Sequence, residues 1–194
     1  PIYFLIYKMT LIKDIINQNK RLANISKAIS ELSDETKINA FLVGGCVRDL
    51  MLNPLEEAID VDIMVEGNGI DFAKKLAKKI NVRKIVPFEK FATAKIPYRE
   101  FEIEVASARL EKYEESSRNP SEVVISKIDD DLLRRDFTVN AMAISLNKDN
   151  FGEFFDPFNG MEDLRNKILR TPLDSDTTFS DDPLRMMRAA YFSS

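Results

Sequence analysis

Apolar residues follow two kinds of spacing along this chain, and together these predict a mixture of helices and strands. Isoleucines and leucines recur every three or four positions over residues 11–32, and a similar helical spacing covers residues 70–80, 129–143 and the stretch from 181 onward. Residues 111–121 are polar and charged, which predicts a loop. Short apolar runs predict strands at residues 40–43, 61–65, 82–86, 91–96, 101–106, 144–146 and 153–155. Because helices and strands are mixed without regular alternation, we predict an α+β domain rather than a doubly wound sheet.

Composition narrows the chemistry more than it narrows the fold. The 194 residues are 44% hydrophobic and carry a net charge of −4, with no histidine and a single cysteine, Cys46. Histidine-based catalysis and cysteine- or histidine-rich zinc sites are therefore excluded, and we expect no haem or flavin. The groups that remain available for catalysis or binding are carboxylates, Lys, Arg, backbone groups and hard metal ions. No apolar run approaches the roughly 18 residues that span a bilayer, so we expect no membrane partner and a cytoplasmic protein.

The first motif with chemical content is LVGGCVRDLML, over residues 42–52. A predicted strand runs into Gly44 and Gly45 and then into a short helix. Glycines let a backbone approach a ligand closely, a helix start offers N–H groups to phosphate, and Arg48 adds a forked pair of donors. The same motif also fits a plain strand–turn–helix in which glycine supplies only the turn.

Two acidic pairs stand on predicted strands. Residues two apart on a strand share a face, so Asp60 and Asp62 project together, and Glu102 and Glu104 do the same on a later strand. Neighbouring carboxylates repel unless a cation lies between them, and hard oxygen ligands on a rigid strand suit Mg²⁺. A carboxylate from the second strand would complete a two-metal site. The alternative is that each strand exposes an acidic face to solvent.

Two further motifs are rich in arginine. LLRRDFTVNAMA, at residues 132–143, places four polar side chains in a predicted helix, and FSDDPLRMMRAA, at residues 179–190, places three at a predicted helix start. Arginine suits phosphate because its fork donates two hydrogen bonds. Both motifs also fit ordinary structure, as a helix with a solvated arginine pair and as an N-capping aspartate followed by surface arginines. The polar residues of the two motifs are Arg134, Arg135, Asp136, Asn140, Asp182, Arg185 and Arg188.

The order of these motifs is more informative than any one of them. GGCVRD, DVD, EVASARLEKY, RRDFTVNAMA, DPFNGMEDLRNKILRTP and DDPLRMMRA follow one another within residues 41–192. In this order they closely resemble the class II CCA-adding enzymes, which are tRNA nucleotidyltransferases, and the related bacterial poly(A) polymerases. The resemblance implies a nucleotidyltransferase head of the polymerase-beta type at residues 39–172, between a helical segment at 1–38 and the start of a helical neck at 173–194. We expect a fragment, because the chain begins with Pro rather than Met and stops within a predicted helix.

The resemblance also implies roles for individual residues. Asp60 and Asp62 match the carboxylates that hold catalytic Mg²⁺, and Glu104 matches the third carboxylate. Asp182 and Arg185 match the pair that reads the incoming base. The full set that we expect to bind the nucleotide is Gly44, Gly45, Arg48, Arg134, Arg135, Asp136, Asn140, Asp182, Arg185 and Arg188.

A member of this family would add C, C and A from CTP and ATP to the 3′ end of tRNA, using Mg²⁺ and releasing pyrophosphate. The tRNA would be held mainly by the helical domains that follow the head in this family. Three alternatives stay open: a poly(A) polymerase, a specialist that adds only the Cs or only the A, and a non-catalytic nucleotide-binding module. FATA at residues 91–94 resembles the FGTA pattern of the CCA-adding group and favours CCA addition.

Overall fold

The structure, a computed structural model, describes residues 11–54, 60–112 and 122–193. A mixed sheet of seven strands forms the centre, and a two-stranded ribbon stands apart from it. The helices are α1 (residues 11–18), α2 (Leu22–Thr36), α3 (Gly45–Leu52), α4 (Gly69–Lys79), α5 (Ile128–Leu133), α6 (Gly160–Asn166), α7 (Ser175–Asp181) and α8 (Leu184–Phe192). The strands are β1 (Ala40–Val43), β2 (Asp60–Val65), β3 (Val86–Phe88), β4 (Thr93–Tyr98), β5 (Phe101–Ser107), β6 (Arg109–Lys112), β7 (Glu122–Ile125), β8 (Ala143–Ser145) and β9 (Phe154–Phe155).

The strands of the large sheet lie in the order β3-β4-β5-β2-β1-β8-β9, and β6 pairs with β7 in the ribbon. β2 and β5 run parallel, whereas the other neighbouring strands of the sheet are antiparallel. The predicted α+β class is confirmed, because the mixed sheet lacks the regular β-α-β alternation of a doubly wound fold. In the part of the chain that the structure describes, no helix has the length and apolar character needed to cross a membrane.

The alternation of apolar and polar residues along β2 and β5 decides which face of the sheet is covered by helices. The apolar odd-numbered residues of both strands are buried with side chains of α1, α2 and α4 in the main core. These residues are Val61, Ile63, Val65, Phe101, Ile103 and Val105. The other face carries a smaller apolar cluster that includes Met64, Ile128 and Leu132. The acidic residues of β2 and β5 stand on this second face, beside that cluster.

Polar side chains set the helix boundaries near the N-terminus. The side-chain oxygen of Asn19 accepts the backbone N–H groups of Arg21 and Leu22 at 3.1 and 3.2 Å, so the helix predicted over residues 11–32 is in fact two helices. Asn68 caps α4 in the same way by accepting the N–H of Asp71 at 3.0 Å. In the last turn of α4, Lys79 bonds a carboxylate of α2 and ties the two helices together.

The helix predicted over residues 129–143 is wrong in its length. α5 ends at Leu133, and a 3₁₀ turn at Thr138–Asn140 follows before β8. The carboxylate of Asp136 accepts the N–H of Phe137 at 2.8 Å and the side-chain amide of Asn140 at 3.1 Å. Such local bonds compete with a continuing helix. The polar residues of this motif therefore lie around a bend instead of along one helix.

Four other predicted boundaries shift. The strand predicted at 82–86 is wrong, because pairing with β4 begins only at Val86. The strand predicted at 91–96 begins at Thr93, after a 3₁₀ turn. Residues 111 and 112 of the predicted loop belong to β6, and 113–121 lie outside the described residues. The helix predicted from 181 is interrupted at Asp182, whose φ of −145° and ψ of 98° are extended. The cause is Pro183, because a proline ring disfavours helical geometry in the residue that precedes it.

Candidate active site

Four carboxylates meet on the open face of the sheet, where β2 and β5 run side by side. The parallel register pairs Asp60 with Glu102 and Asp62 with Glu104. Asp62 and Glu104 are half-buried, whereas Asp60 and Glu102 are exposed. The fold therefore brings a carboxylate from a second strand next to the Asp60–Asp62 pair, as the sequence pattern predicted.

The charge of this cluster is only partly balanced. Burial raises the pKa of Asp62 to about 6, and the negative charges of Glu104 and Asp60 act in the same direction, against the opposing charges of Arg135 and Lys95. Lys95, on β4, has its Nζ 2.9 Å from the Glu102 carboxylate and 3.8 Å from that of Glu104. The raised pKa of Asp62 thus reflects burial first and the neighbouring negative charges second.

The donor set fits Mg²⁺. All of the acidic groups supply hard oxygen ligands from two rigid, adjacent strands. Within residues 11–54, 60–112 and 122–193, no three acidic or thiol side chains are gathered tightly enough to hold a metal ion as they stand. Carboxylates repel one another and stay apart until a cation draws them together. Asp60, Asp62 and Glu104 are the residues that would hold the ion, and their role stays a prediction.

Gly44 brings a guanidinium close to Asp62. Its φ is +68°, and a Cβ at this position would stand 2.8 Å from Nη1 of Arg135 and 3.8 Å from Oδ2 of Asp62. Only glycine adopts this conformation easily and leaves that space. Gly45 then begins α3, where Nη2 of Arg48 lies 3.6 Å from the position a Cβ on Gly45 would take. Gly44 therefore does more than supply a turn, whereas a Cβ on Gly45 would make only an ordinary contact.

Asp131, which the sequence reasoning missed, anchors both arginines of the second motif. Its carboxylate is 0% exposed. One oxygen accepts Nε and Nη2 of Arg135 at 3.1 and 2.9 Å, and the other accepts Nε of Arg134 at 3.0 Å. The available signal was an aspartate three and four positions before an arginine pair, a spacing that brings side chains together on a helix.

A cleft of about 310 Å³ lies between these groups. The carboxylates of Asp62 and Glu104 and the guanidiniums of Arg134 and Arg135 belong to residues that line it. Acidic oxygens suit a divalent cation, and arginine forks suit phosphate oxygens. The cleft thus has the two kinds of wall that a metal-bound triphosphate requires.

A run of hydrogen bonds connects α3 to α8. Arg48 donates to the side chain of Asn140 at 2.7 Å, Asn140 donates to Asp136 at 3.1 Å, and Arg188 donates to the second Asp136 oxygen at 2.7 Å. The guanidinium carbons of Arg48 and Arg188 lie 5.0 and 5.4 Å from the ring centre of Phe192, within cation–π range. Four predicted nucleotide-binding residues therefore also hold α8 against the Gly44–Gly45 turn.

Asp182 and Arg185 do not lie on one helix, contrary to the prediction. Asp182 precedes α8, and its side chain accepts the N–H of Leu184 at 3.0 Å in the turn that leads into the helix, whose N-cap is Pro183. Arg185 donates to the backbone carbonyls of Arg134 and Thr178 at 2.8 and 3.3 Å. The fold thus places Arg185 beside the arginine pair at the cleft.

Comparison with known proteins decides the family. The sequence pattern of the family described as "Poly A polymerase head domain" matches residues 40–170, more than half of the chain. The chain belongs to this head-domain family. The membership predicted from the order of the motifs is confirmed, and with it the polymerase-beta type of head.

Similar proteins carry the same head domain within longer chains. An A-adding tRNA nucleotidyltransferase of Aquifex aeolicus strain VF5 is 41% identical over 156 residues, which are 80% of this chain and 18% of that protein. A CCA-adding enzyme of Lactobacillus helveticus strain DPC 4571 is 36% identical over 83% of this chain and 38% of that enzyme. A solved tRNA nucleotidyltransferase, complexed with a primer tRNA and an incoming ATP analogue, superposes with a TM-score of 0.72 at 38% identity, covering 85% of this chain and 44% of that one. The head-domain chain thus spans less than half the length of each of these proteins.

The single cysteine of the head domain is expected to be chemically inert while the protein is folded. Burial, with a smaller contribution from the charge of Asp62, raises the pKa of Cys46 to about 12, and the residue is only 4% exposed. The thiolate is the reactive form of cysteine. A disulfide reagent at pH 8 should therefore leave the native protein unmodified and label one thiol per chain once denaturant is added. Rapid labelling without denaturant would contradict this burial.

Proposed function

We propose that this chain is the catalytic head of a tRNA nucleotidyltransferase that transfers nucleotides from CTP and ATP to the 3′ end of tRNA. The observation that carries the proposal is the register of β2 on β5, which brings Asp62 and Glu104 together in a cleft that Arg134 and Arg135 also line, with Asp60 on the same strand face as Asp62. The similarity to A-adding and CCA-adding enzymes, and to a nucleotidyltransferase solved with tRNA and an ATP analogue, supports the same activity.

The acidic wall is the proposed metal site. Asp60, Asp62 and Glu104 would hold Mg²⁺. The bound metal would lower the pKa of the attacking hydroxyl and balance the charge of the departing pyrophosphate. A divalent cation there would also relieve the repulsion that raises the pKa of Asp62. A protein base is not required under this scheme, which suits a chain without histidine.

The basic wall is the proposed triphosphate site. Arg135, held over Gly44, would donate to the triphosphate oxygens, and Arg48 would do so from the first turn of α3. Asp131 and Asn140 hold these two guanidiniums in place before any substrate arrives. Donors that are already oriented lose little conformational freedom when the substrate binds, and they stabilise the negative charge that develops during transfer.

The division of the chain follows from this assignment. We propose residues 39–172 as the head proper, 1–38 as an N-terminal helical segment and 173–194 as the start of a helical neck. The greater length of the similar enzymes supports further helical domains that hold the body of the tRNA in the cytoplasm.

CCA addition is our first choice and addition of the terminal A alone is the second. FATA at residues 91–94 favours CCA addition, whereas the 41% identity to an A-adding enzyme favours the specialist. The natural-length protein should be incubated with Mg²⁺ and tRNAs that end before the first C, after one C and after two. CCA addition predicts that CTP extends the first two tRNAs and ATP the third, whereas the specialist extends only the third. No extension of any tRNA would overturn the proposal.

Loss of base selection is expected when Asp182 or Arg185 is changed to Ala. Cytosine and adenine present an amino group beside a ring acceptor, and uracil and guanine present a carbonyl beside a ring N–H. A carboxylate only accepts and a guanidinium only donates, so this pair suits C and A. In the wild-type protein each mismatched group left buried costs about 1–3 kcal/mol. Removing one member of the pair should therefore lower the preference for CTP and ATP over UTP and GTP by about 10-fold or more.

The measurement is the incorporation of each of the four nucleotides by both variants, together with their melting temperatures. Arg165→Ala, an exposed arginine on α6, is the matched control and should keep the wild-type preference. If Asp182 is only a cap, its loss lowers the free energy of unfolding by about 1 kcal/mol and leaves the preference unchanged.

A further inference from the structure

An exposed apolar strip follows the edge of the sheet beside the candidate active site. It consists of Val86, Phe88 and Phe91, which are 38%, 40% and 51% exposed. Val86 and Phe88 belong to the edge strand β3, and Phe91 ends the 3₁₀ turn that leads into β4. The metal and triphosphate sites proposed above make no use of this strip.

The sheet register puts the strip on the same face as the carboxylates. β3 pairs Val86 with Lys95 and Phe88 with Thr93, and β4 pairs Lys95 with Glu104. Residues that lie directly opposite each other on neighbouring strands share a face of the sheet. Val86 and Phe88 therefore project on the same face as the carboxylates: Val86 is in line with Lys95 and Glu104, and Phe88 is in the next row, in line with Thr93 and Ala106.

The geometry of nucleotidyl transfer favours the side of β2 that faces β5, β4 and β3 as the place for the RNA acceptor. In phosphoryl transfer the attacking and leaving oxygens lie roughly in line, so the two substrates reach the reacting phosphorus from opposite sides. Gly44, Arg48 and Arg135 lie on the β1 side of β2, which is where the triphosphate is proposed to bind. On the other side of β2, the cleft is lined by Glu104 and Ala106 of β5 and by Thr93 of β4, and the acceptor would approach Asp62 from there.

We propose that Phe88 and Phe91 stack unpaired bases of the RNA acceptor a few nucleotides before its 3′ end. This inference rests on the proposed function. Three strand spacings separate β3 from β2, roughly 14 Å in all, and stacked nucleotides rise about 3.4 Å each, so about four nucleotides cover the gap. Aromatic rings beside basic side chains are the usual surface for single-stranded nucleic acid.

Charge and backbone chemistry favour RNA over another protein strand as the occupant. Residues 83–95 contain four basic residues and one acidic residue, in a chain whose net charge is −4. Arg83, Lys84 and Lys90 of this segment are exposed. Pro87 at the centre of β3 has no N–H to donate, so the edge is a poor template for strand addition by a second copy.

Steady-state transfer by the natural-length protein tests the proposal. Phe88→Ala should raise the KM for the tRNA acceptor by about 10-fold or more, since stacking on an aromatic ring is the main interaction lost. The KM for ATP and the melting temperature should not change, because Phe88 is exposed and lies away from the triphosphate site. Phe88→Trp should restore the wild-type KM, and Phe88→Leu should not. Ile168→Ala, another exposed apolar residue at 41%, is the matched control.

A binding measurement separates this inference from the proposed function. A short single-stranded RNA that carries 2-aminopurine loses fluorescence when that base stacks, and Phe88→Ala should remove the quenching that the wild-type protein causes. If the wild-type protein extends no tRNA but quenches the probe through Phe88, the strip stands and the proposed function fails. If it extends tRNA while Phe88→Ala changes neither KM nor quenching, the inference is overturned. A lower melting temperature with an unchanged KM would also overturn it, since the strip would then be packed against protein.

Discussion

Replacing Asp62 with Asn is expected to lower nucleotidyl transfer by a factor on the order of 10³ or more, and at the same time to stabilise the metal-free protein. Burial and the nearby charges of Glu104 and Asp60 raise the pKa of Asp62 from its usual 3.8 to about 6. Because the folded pKa is the higher one, the unfolded chain loses this proton first as the pH rises. Stability therefore falls between about pH 4 and pH 6, and the whole penalty is present above pH 6. Asn carries no charge and escapes a penalty on the order of 3 kcal/mol.

Urea unfolding at two pH values, with a chelator present, measures this effect. At pH 7.5 Asp62→Asn should be more stable than the wild-type protein, and at pH 4 the difference should nearly vanish. Added Mg²⁺ should stabilise the wild-type protein more than the variant, because the variant lacks one of the proposed ligands. Glu102→Gln changes an exposed carboxylate on the same face and should show little gain in stability. Wild-type transfer by Asp62→Asn, or a loss of stability at pH 7.5, would contradict the metal assignment.

The acidic part of this site could be predicted because it depends on strand alternation. The alternation of acidic and apolar residues on β2 and on β5 is local, and each pattern determines the two faces of its own strand. The pairing of Asp62 with Glu104 is a contact between residues more than forty positions apart. A single strand pattern contains no information on which strand lies beside it. That pairing could be expected only because a carboxylate from a neighbouring strand would complete a two-metal site.

The basic part of the site was harder to predict, because its side chains break the local pattern. Residues 129–143 have helical apolar spacing, but Asp136 bonds Phe137 and Asn140 and the chain turns. Asp131 looks like one of three consecutive acidic residues at a helix start, and only the fold buries it. The contact of Arg48 with Phe192 spans most of the chain and has no local signal. Periodicity predicts burial, whereas buried polar networks depend on tertiary contacts.

Asp131→Asn is expected to have the largest effect on stability among the residues of the site. Its fully buried carboxylate is bonded to two arginines whose side chains are 26% and 18% exposed. Removing one partner of a buried ion pair leaves charge without compensation, which costs about 3–5 kcal/mol. The amide of Asn can accept from one guanidinium, but it cannot balance the charge of both. We therefore expect a loss of about 3 kcal/mol in the free energy of unfolding.

The same change should also weaken nucleotide binding in the protein that remains folded. Without Asp131, Arg135 is expected to turn toward the carboxylate of Asp62, which lines the same cleft and also lies near Gly44. A guanidinium drawn to Asp62 would occupy the space proposed for the metal-bound triphosphate and would compete with the cation. The KM for ATP should therefore rise at a temperature where the variant is folded. Asp129→Asn, an exposed aspartate in the first turn of α5, is the matched control and should change neither quantity by much. If Asp131→Asn matches Asp129→Asn in both unfolding and KM, the buried carboxylate does not position the arginines, and the proposed triphosphate wall loses its support.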